Sequence, residues 1–240
     1  IAVTFGFSLM IAEVAIGRKT GLSAIGAFKA LDSRFGFLGI LASAVPIIIL
    51  PYYSVIGGWV IKYFAVFLTG GGSASAADDY FTGFVGSTFE PLGWFLLFLG
   101  ATAVIVLLGV EKGIEKVSKF AMPILVLLAV VISIYCLTLD GAMDGLAYYV
   151  QPHMEDFSVK TVLSAMGQLF YSMSLAMGIM VTYGSYMRKD TNLESSVRQI
   201  EIFDTVIAFL AGLMIIPAVF VFSGGDPKIL QSGPSLMFVI

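Results

Sequence analysis

The chain of 240 residues is 58% hydrophobic and only 12% charged, with a formal net charge of −3. A soluble domain typically carries about 25% charged residues, so this composition excludes a water-facing globular surface of this size. The negative charge argues against a nucleic-acid partner, because the chain has no basic patch to neutralise phosphates.

Six apolar segments predict membrane-spanning helices. A helix of about 20 apolar residues crosses a bilayer core of about 30 Å, and within that core every backbone group must pair inside its own helix. We therefore expect one all-α transmembrane domain over residues 1–240. Its predicted helices are residues 1–17, 36–68, 92–110, 120–139, 161–187 and 199–223. Its predicted external loops are residues 69–91 and 140–160, and residues 224–240 are predicted to be the start of a third external loop.

The first residue is Ile rather than Met, and it falls inside an apolar run without a basic leader. A signal peptide would need such a leader and a small-residue cleavage site. The last residues, SLMFVI, also stop within an apolar run. We therefore expect the chain to be a fragment of a longer membrane protein.

Basic residues predict the orientation, because they concentrate on the cytoplasmic side of a membrane. Ten of the thirteen fall on alternate connections, whereas the intervening connections are acidic. The basic residues of these inner connections are Arg18, Lys19, Lys29, Arg34, Lys112, Lys116, Lys119, Arg188, Lys189 and Arg198.

Small residues recur at every second position within the uncharged segment 161–187, namely Ser172, Ser174, Ala176 and Gly178. A period of two does not mark one face of a helix. One interpretation is an unwound segment whose backbone lines a cavity, as in the broken helices of transporters. The other is close helix packing by small residues.

Four polar residues in apolar segments are further candidates. Asp204 has two interpretations: it belongs to an ion or proton pathway, or it is a carboxylate solvated at the inner interface. Gln168 hydrogen-bonds a neighbouring helix or helps to hold an ion. Tyr53 bonds a substrate carboxylate or a neighbouring carbonyl. Glu13 is predicted to form an interfacial charge pair with the nearby Arg18.

The sequence lacks the motifs that are typical of enzyme active sites. The single histidine, His153, lies in a predicted external loop, and the single cysteine, Cys136, suits a small packing residue. The sequence contains no HExxH motif, Cys/His cluster or G-x-S-x-G elbow. We therefore expect no enzyme activity and no catalytic residues.

Four internal sequences and the ending carry a resemblance to a known family. They are AEVAIGRKTG, PYYSVIGGW, GVEKGIEKVSKFAMP, GQLFYSMSLAMGIMVTYGSYMRKD and GPSLMFVI. In this order they resemble the bacterial amino-acid-transporter branch of the neurotransmitter:sodium symporter family. The resemblance implies part of a leucine-transporter-type bundle of two inverted repeats, with six transmembrane helices present and the first and C-terminal helices missing. It also implies sodium-driven amino-acid uptake by alternating access in a multi-pass bacterial inner or plasma membrane.

The resemblance also implies roles for individual residues. Substrate-binding positions are Ile49, Tyr53, Tyr171, Ser172, Ser174 and Met177, with Tyr53 on the substrate carboxylate and Tyr171 as a lid. Ser172 matches a ligand of the first sodium ion, and Gln168 and Ser172 match ligands of the chloride site in chloride-dependent members. Tyr186 matches a tyrosine near the inner gate.

The sequence departs from the family at Asp204, where the best-known members have Asn as a sodium ligand. Our hypothesis is that the carboxylate strengthens sodium binding and supplies the charge that chloride otherwise brings, so that sodium is required and chloride is not. A proton-coupled carrier with Asp204 as relay, an ion channel and a membrane-anchored structural protein are the alternatives. The particular amino acid does not follow from the sequence, although Ile49 and Met177 favour an apolar or aromatic side chain.

Overall fold

A computed structural model describes residues 1–75, 79–152, 154, 157–222 and 238 of the chain. Every regular element within these residues is helical, which confirms the predicted all-α class. The predicted external loop at 224–240 lies outside the described residues except for Phe238, and so does His153.

Eleven α-helices are present in the described part of the chain. They are α1 (Phe7–Thr20), α2 (Ala24–Leu31), α3 (Gly36–Leu68), α4 (Gly72–Ser75), α5 (Tyr80–Gly86), α6 (Phe89–Leu107), α7 (Lys116–Leu137), α8 (Ala142–Val150), α9 (Val159–Ser172), α10 (Ile179–Tyr186) and α11 (Leu193–Phe222). Wider π-helical turns precede α1 and α7, and a 3-10 turn precedes α3. The helices form two compact units: Ile1–Ile49 with Pro152–Phe209, and Leu50–Gln151 with Leu210–Ile240.

Four helical segments of the described residues are long and apolar enough to cross a membrane. They are Ser33–Leu68, Phe89–Leu107, Val110–Leu137 and Leu193–Phe222. Their large apolar side chains point outward; Leu107 is 85% exposed and Phe120 is 75% exposed. Exposed apolar side chains of this kind suit contact with lipid or with further apolar helices.

The other two predicted spans are interrupted or short. The segment predicted at 161–187 is divided into α9 and α10, of 14 and 8 residues. The segment predicted at 1–17 is the 14-residue α1 with a preceding π-helical turn. The 14 residues of α9 rise only about 21 Å, too little to cross the core without α10.

Short helices lie within the segments predicted as external loops. Helix α5 buries Phe81 and Phe84 within 69–91. Helix α8 lies within 140–160 and approaches α11 so closely that a Cβ atom on Gly145 would stand 2.8 Å from the Cα atom of Pro217. Helices of this length show too few turns for their periodicity to be read. Tertiary packing rather than local pattern therefore stabilises them.

Helix α11 begins at Leu193, before the predicted start at residue 199. The side-chain oxygen of Asn192 accepts a hydrogen bond of 3.0 Å from the backbone N–H of Ser195, as an N-terminal cap does. The first turns are polar and carry a Glu194–Arg198 ion pair of 2.6 Å. The predicted start followed the apolar residues alone, so it did not include these polar first turns of the helix.

The second unit joins its helices through polar and aromatic contacts. The Lys62 ammonium of α3 pairs with Glu90 of α6 and lies 5.9 Å from the ring centroid of Trp94. The Ser133 hydroxyl of α7 donates to the carbonyl of Leu210 in α11 at 3.1 Å. These contacts stabilise side chains that an apolar environment would otherwise leave unpaired.

In the first unit, α1 and α10 pack backbone against backbone. A Cβ atom on Gly17 of α1 would overlap the carbonyl oxygen of Val181, and one on Gly184 of α10 would overlap the carbonyl oxygen of Val14. Small residues allow such approach and are typical of helix pairs in membranes. Each helix thus contributes one glycine that the other helix contacts directly.

Replacing Gly17 with Ala is expected to separate α1 from α10 and to destabilise the protein by about 2 kcal/mol, because the added methyl group overlaps a main-chain oxygen. The measurement is the thermal unfolding midpoint of the purified protein in detergent. Gly100→Ala in α6 is the control, since nothing within 4 Å would meet its Cβ atom. A Gly17→Ala midpoint equal to that of the control would contradict the close contact.

Candidate functional site

The helix break between α9 and α10 is the centre of the candidate site. Helix α9 ends at Ser172 and α10 begins at Ile179. Between them the backbone is left-handed at Ser174, Ala176 and Gly178, with φ of 53°, 60° and 69°. Side chains other than glycine disfavour this region by about 1–2 kcal/mol per residue, so the surroundings must hold it. The small residues that alternate in the sequence therefore form an unwound segment, and close helix packing does not explain their period.

Buried apolar side chains anchor the break on its other positions. Met173 and Leu175 are 3% and 1% exposed, and they pack with Met10 and Val14 of α1 and Val197 of α11. Burial of side chains this large contributes roughly 1.5–3 kcal/mol each. Met173 and Leu175 thus bury their side chains, and small residues occupy the left-handed positions that follow each of them.

Glu13 of α1 supplies a polar anchor. Its side chain is 7% exposed, and its Oε1 atom accepts a hydrogen bond of 2.6 Å from the backbone N–H of Ala176. Unwinding leaves this N–H without a helical partner, and the Glu13 carboxylate supplies one instead. The Oε2 atom is buried and has no hydrogen-bond partner among the described residues.

The predicted charge pair between Glu13 and Arg18 is wrong. The Arg18 guanidinium donates instead to main-chain carbonyls of Lys189 and Thr191, and within the described residues no cationic side chain pairs with Glu13. Side chains five positions apart on a helix do not share a face as those at three or four do. The buried face of α1 instead turns Glu13 toward the break.

Asp204 and Ser172 meet beside the break. The Ser172 hydroxyl, on the last residue of α9, donates a hydrogen bond of 2.6 Å to the Oδ1 atom of Asp204 on α11. Asp204 is half-buried, and its Oδ1 atom is engaged by the Ser172 hydroxyl. A carboxylate and a hydroxyl oxygen are hard ligands, the kind that sodium and calcium ions prefer. No group of three His, Cys, Asp or Glu side chains suited to a metal occurs in the described residues.

The electrostatics of the two half-helices also suit ion binding. The C-terminal end of α9 carries a partial negative charge, and the N-terminal end of α10 a partial positive charge. In transporters, such ends hold cations and substrate carboxylates respectively. The Ser172–Asp204 pair lies at the end of α9, where the helix dipole favours a cation.

The other predicted site residues lie at varied positions. Gln168 lies one helical turn before Ser172 on α9 and is exposed, and Tyr171 is 40% exposed. Ser174 and Met177 are half-buried within the break. The structure therefore gathers these four residues around the end of α9.

The remaining three predicted residues lie outside α9 and the break. Ile49 is half-buried and is the last α3 residue of the first unit, whereas Tyr53 belongs to the second unit and its ring centroid is 6.1 Å from that of Tyr52. Tyr186 is the last residue of α10 and is 63% exposed. Because α10 has eight residues, about 10 Å of helix separates Tyr186 from the break.

Comparison with known proteins identifies the family. Residues 85–240, more than half of the chain, match the sodium:neurotransmitter symporter family. The chain belongs to this family. It is similar to MhsT, solved in complex with L-phenylalanine, with a TM-score of 0.89 and 38% identity over 100% of this chain and 55% of that chain. This likeness confirms the predicted leucine-transporter-type fold class.

Two relatives agree with this family. The chain is 36% identical to YhdH, an uncharacterized sodium-dependent transporter of Bacillus subtilis, over 99% of this chain and 53% of that protein. It is 29% identical to the sodium-dependent neutral amino acid transporter B(0)AT3 of Rattus norvegicus, over 90% of this chain and 40% of that protein. The chain thus spans about half the length of these relatives, which are transporters rather than enzymes.

Proposed function

We propose that the protein is a sodium-coupled symporter of amino acids or related small amines, embedded as a multi-pass protein in a bacterial inner or plasma membrane. The single observation that carries this proposal is the Ser172–Asp204 contact of 2.6 Å at the end of a broken helix. It joins oxygen ligands to the exposed main chain of the break, in a family whose relatives include sodium-dependent transporters.

Sodium binds, in this proposal, to the Ser172 hydroxyl, the Asp204 carboxylate and main-chain oxygens of the break. Charge supports this assignment, because no basic side chain forms an ion pair with Asp204 within the described residues. A partly buried carboxylate without a cationic partner favours a bound cation. Asp204 also supplies the negative charge that chloride would bring, so chloride is not required.

The amino acid binds at the break, with its carboxylate toward the start of α10 and its side chain against Ile49, Ser174 and Met177; the role of Tyr53, which lies in the second unit, rests on the family resemblance alone. MhsT, which is similar over the whole chain, was solved with L-phenylalanine. The half-buried Met177 and Ile49 provide apolar surface of the kind that a neutral or aromatic side chain fits. Tyr171 covers the substrate, and Tyr186 belongs to the inner gate.

Alternating access then requires the break to act as a bending point.

A proton-coupled carrier would use the same Asp204 carboxylate as a proton relay, and a channel would conduct ions without an occluded substrate. Uptake into liposomes under a sodium gradient or a pH gradient, together with single-channel recording, separates these three functions.

The intact protein in liposomes is expected to bind radiolabelled neutral amino acids only when sodium is present. Ser172→Ala is expected to raise the sodium concentration for half-maximal binding by about tenfold, because an oxygen ligand and a hydrogen bond to a charged group are lost. Ser196→Ala is the control, since its hydroxyl donates to the Asn192 carbonyl near the start of α11. Sodium-independent binding by the wild-type protein would overturn the proposal.

A further inference from the structure

The inner end of α1 is fastened to the connection between α10 and α11. Arg18, in the last turn of α1, donates through Nη1 to the carbonyl of Thr191 at 2.9 Å. Its Nη2 atom donates to the carbonyl of Lys189. Both acceptors belong to the six-residue connection 187–192, so one guanidinium group bonds it at two points.

These bonds continue the glycine contact along the same pair of helices. Gly17, next to Arg18, contacts the α10 backbone at Val181, and Gly184 of α10 contacts Val14. Helix α10 is thus attached to α1 along its length and beyond its end. By contrast, only the irregular residues 173–178 connect α10 to α9 along the chain.

We propose that Arg18 is a positioning residue that locks α10 and the start of α11 onto α1, so that bending during transport is confined to the break at 173–178. This inference deepens the proposed symport mechanism and rests on it for its purpose. Arg18 thereby keeps α10 beside Glu13, the α1 side chain that accepts the hydrogen bond of Ala176 in the break.

The chemistry of the bonds favours positioning over charge pairing. The guanidinium is planar and rigid, so it can hold two carbonyl oxygens in a fixed geometry, which the single ammonium of a lysine does less well. The carboxylate in the connection, Asp190, is engaged by Arg188 at 2.9 Å. Arg18 itself forms no ion pair within the described residues.

A cysteine reporter at Ser185 tests the lock. Ser185 is half-buried in α10, and a Cβ atom on Gly17 would stand 2.9 Å from its backbone nitrogen. In the intact protein freed of other cysteines, Ser185→Cys is labelled in inside-out vesicles with a membrane-impermeant thiol reagent. Arg18→Ala is expected to raise the labelling rate about tenfold or more, because two hydrogen bonds from a charged donor are lost.

Three comparisons make the result specific. Arg18→Lys, which can still donate to one carbonyl, is expected to restore part of the protection. Arg198→Ala, which removes an exposed arginine paired with Glu194, is expected to label at the wild-type rate. A second reporter, Ser133→Cys, is buried in the second unit, and its labelling is expected to stay unchanged, whereas general loosening would raise it.

Equal labelling at position 185 in the Arg18→Ala and wild-type proteins would overturn the lock, and so would a parallel rise at position 133. If Arg18→Ala does not yield monodisperse protein, Arg18→Gln is compared in the same way, with the same direction expected. Labelling is measured without sodium or amino acid. A failure of the lock is therefore distinguishable from a failure of the symport proposal, which sodium-dependent binding decides.

Discussion

Asp204→Asn is expected to raise the sodium concentration for half-maximal amino-acid uptake by about tenfold or more, and to make uptake depend on chloride. The substitution keeps an oxygen that can accept from the Ser172 hydroxyl and removes only the negative charge. A hydrogen bond or contact to a charged group contributes about 1.5–3 kcal/mol, equivalent to a factor of ten or more in affinity. The lost charge is the one that an added chloride ion would replace.

The experiment measures uptake of a radiolabelled neutral amino acid into liposomes over a range of sodium concentrations, with chloride or with gluconate as the anion. Asp190→Asn is the matched control, because it makes the same substitution in an exposed ion pair with Arg188, and exposed pairs of this kind contribute about 0–1 kcal/mol. An Asp204→Asn protein with unchanged sodium affinity and no chloride requirement would refute the role of Asp204.

The break was the most informative feature that sequence alone could predict. Small residues at every second position conflict with the 3.6-residue period of a helix, and the left-handed backbone falls at Ser174, Ala176 and Gly178 of that series. The unwound segment, one of the two interpretations that the sequence left open, agrees with the structure because the constraint is local: left-handed positions exclude large or branched side chains. Membrane class was predictable for a similar reason, since the charge content of whole segments decides it.

The polar contacts that hold the break could not be predicted from sequence patterns. Glu13 and Ala176 are 163 positions apart, and no spacing rule pairs an acidic residue on one helix with a backbone N–H on another. A lone carboxylate near the end of an apolar helix with Arg18 nearby favours a charge pair, and that local interpretation was wrong. Ser172 and Asp204 could likewise be assigned to one site only through the family resemblance, because their contact depends on how α9 packs against α11.

Glu13→Ala is expected to weaken sodium-dependent amino-acid binding by about tenfold or more and to lower the thermal unfolding midpoint in detergent. The substitution removes the part-buried hydrogen bond from the Ala176 N–H to a carboxylate, and a hydrogen bond to a charged group contributes about 1.5–3 kcal/mol. It also leaves an unfilled volume beside the core formed by Met10, Val14 and Leu175. Since Ser174 and Ala176 hold a strained backbone, the loss of this acceptor is expected to release the shape on which the site depends.

Glu13→Gln separates the hydrogen bond from the charge at the same position. The amide oxygen can still accept from the Ala176 N–H, so amino-acid binding is expected to stay within about threefold of wild type if the acceptor is what matters, since a neutral hydrogen bond contributes about 1 kcal/mol. Glu194→Ala, in an exposed pair with Arg198, controls for loss of an acidic side chain from the same unit. Equal losses of binding in Glu13→Gln and Glu13→Ala would instead assign the effect to the charge. Unimpaired binding in Glu13→Ala would mean that the buried apolar anchors Met173 and Leu175 hold the break without help from α1's carboxylate.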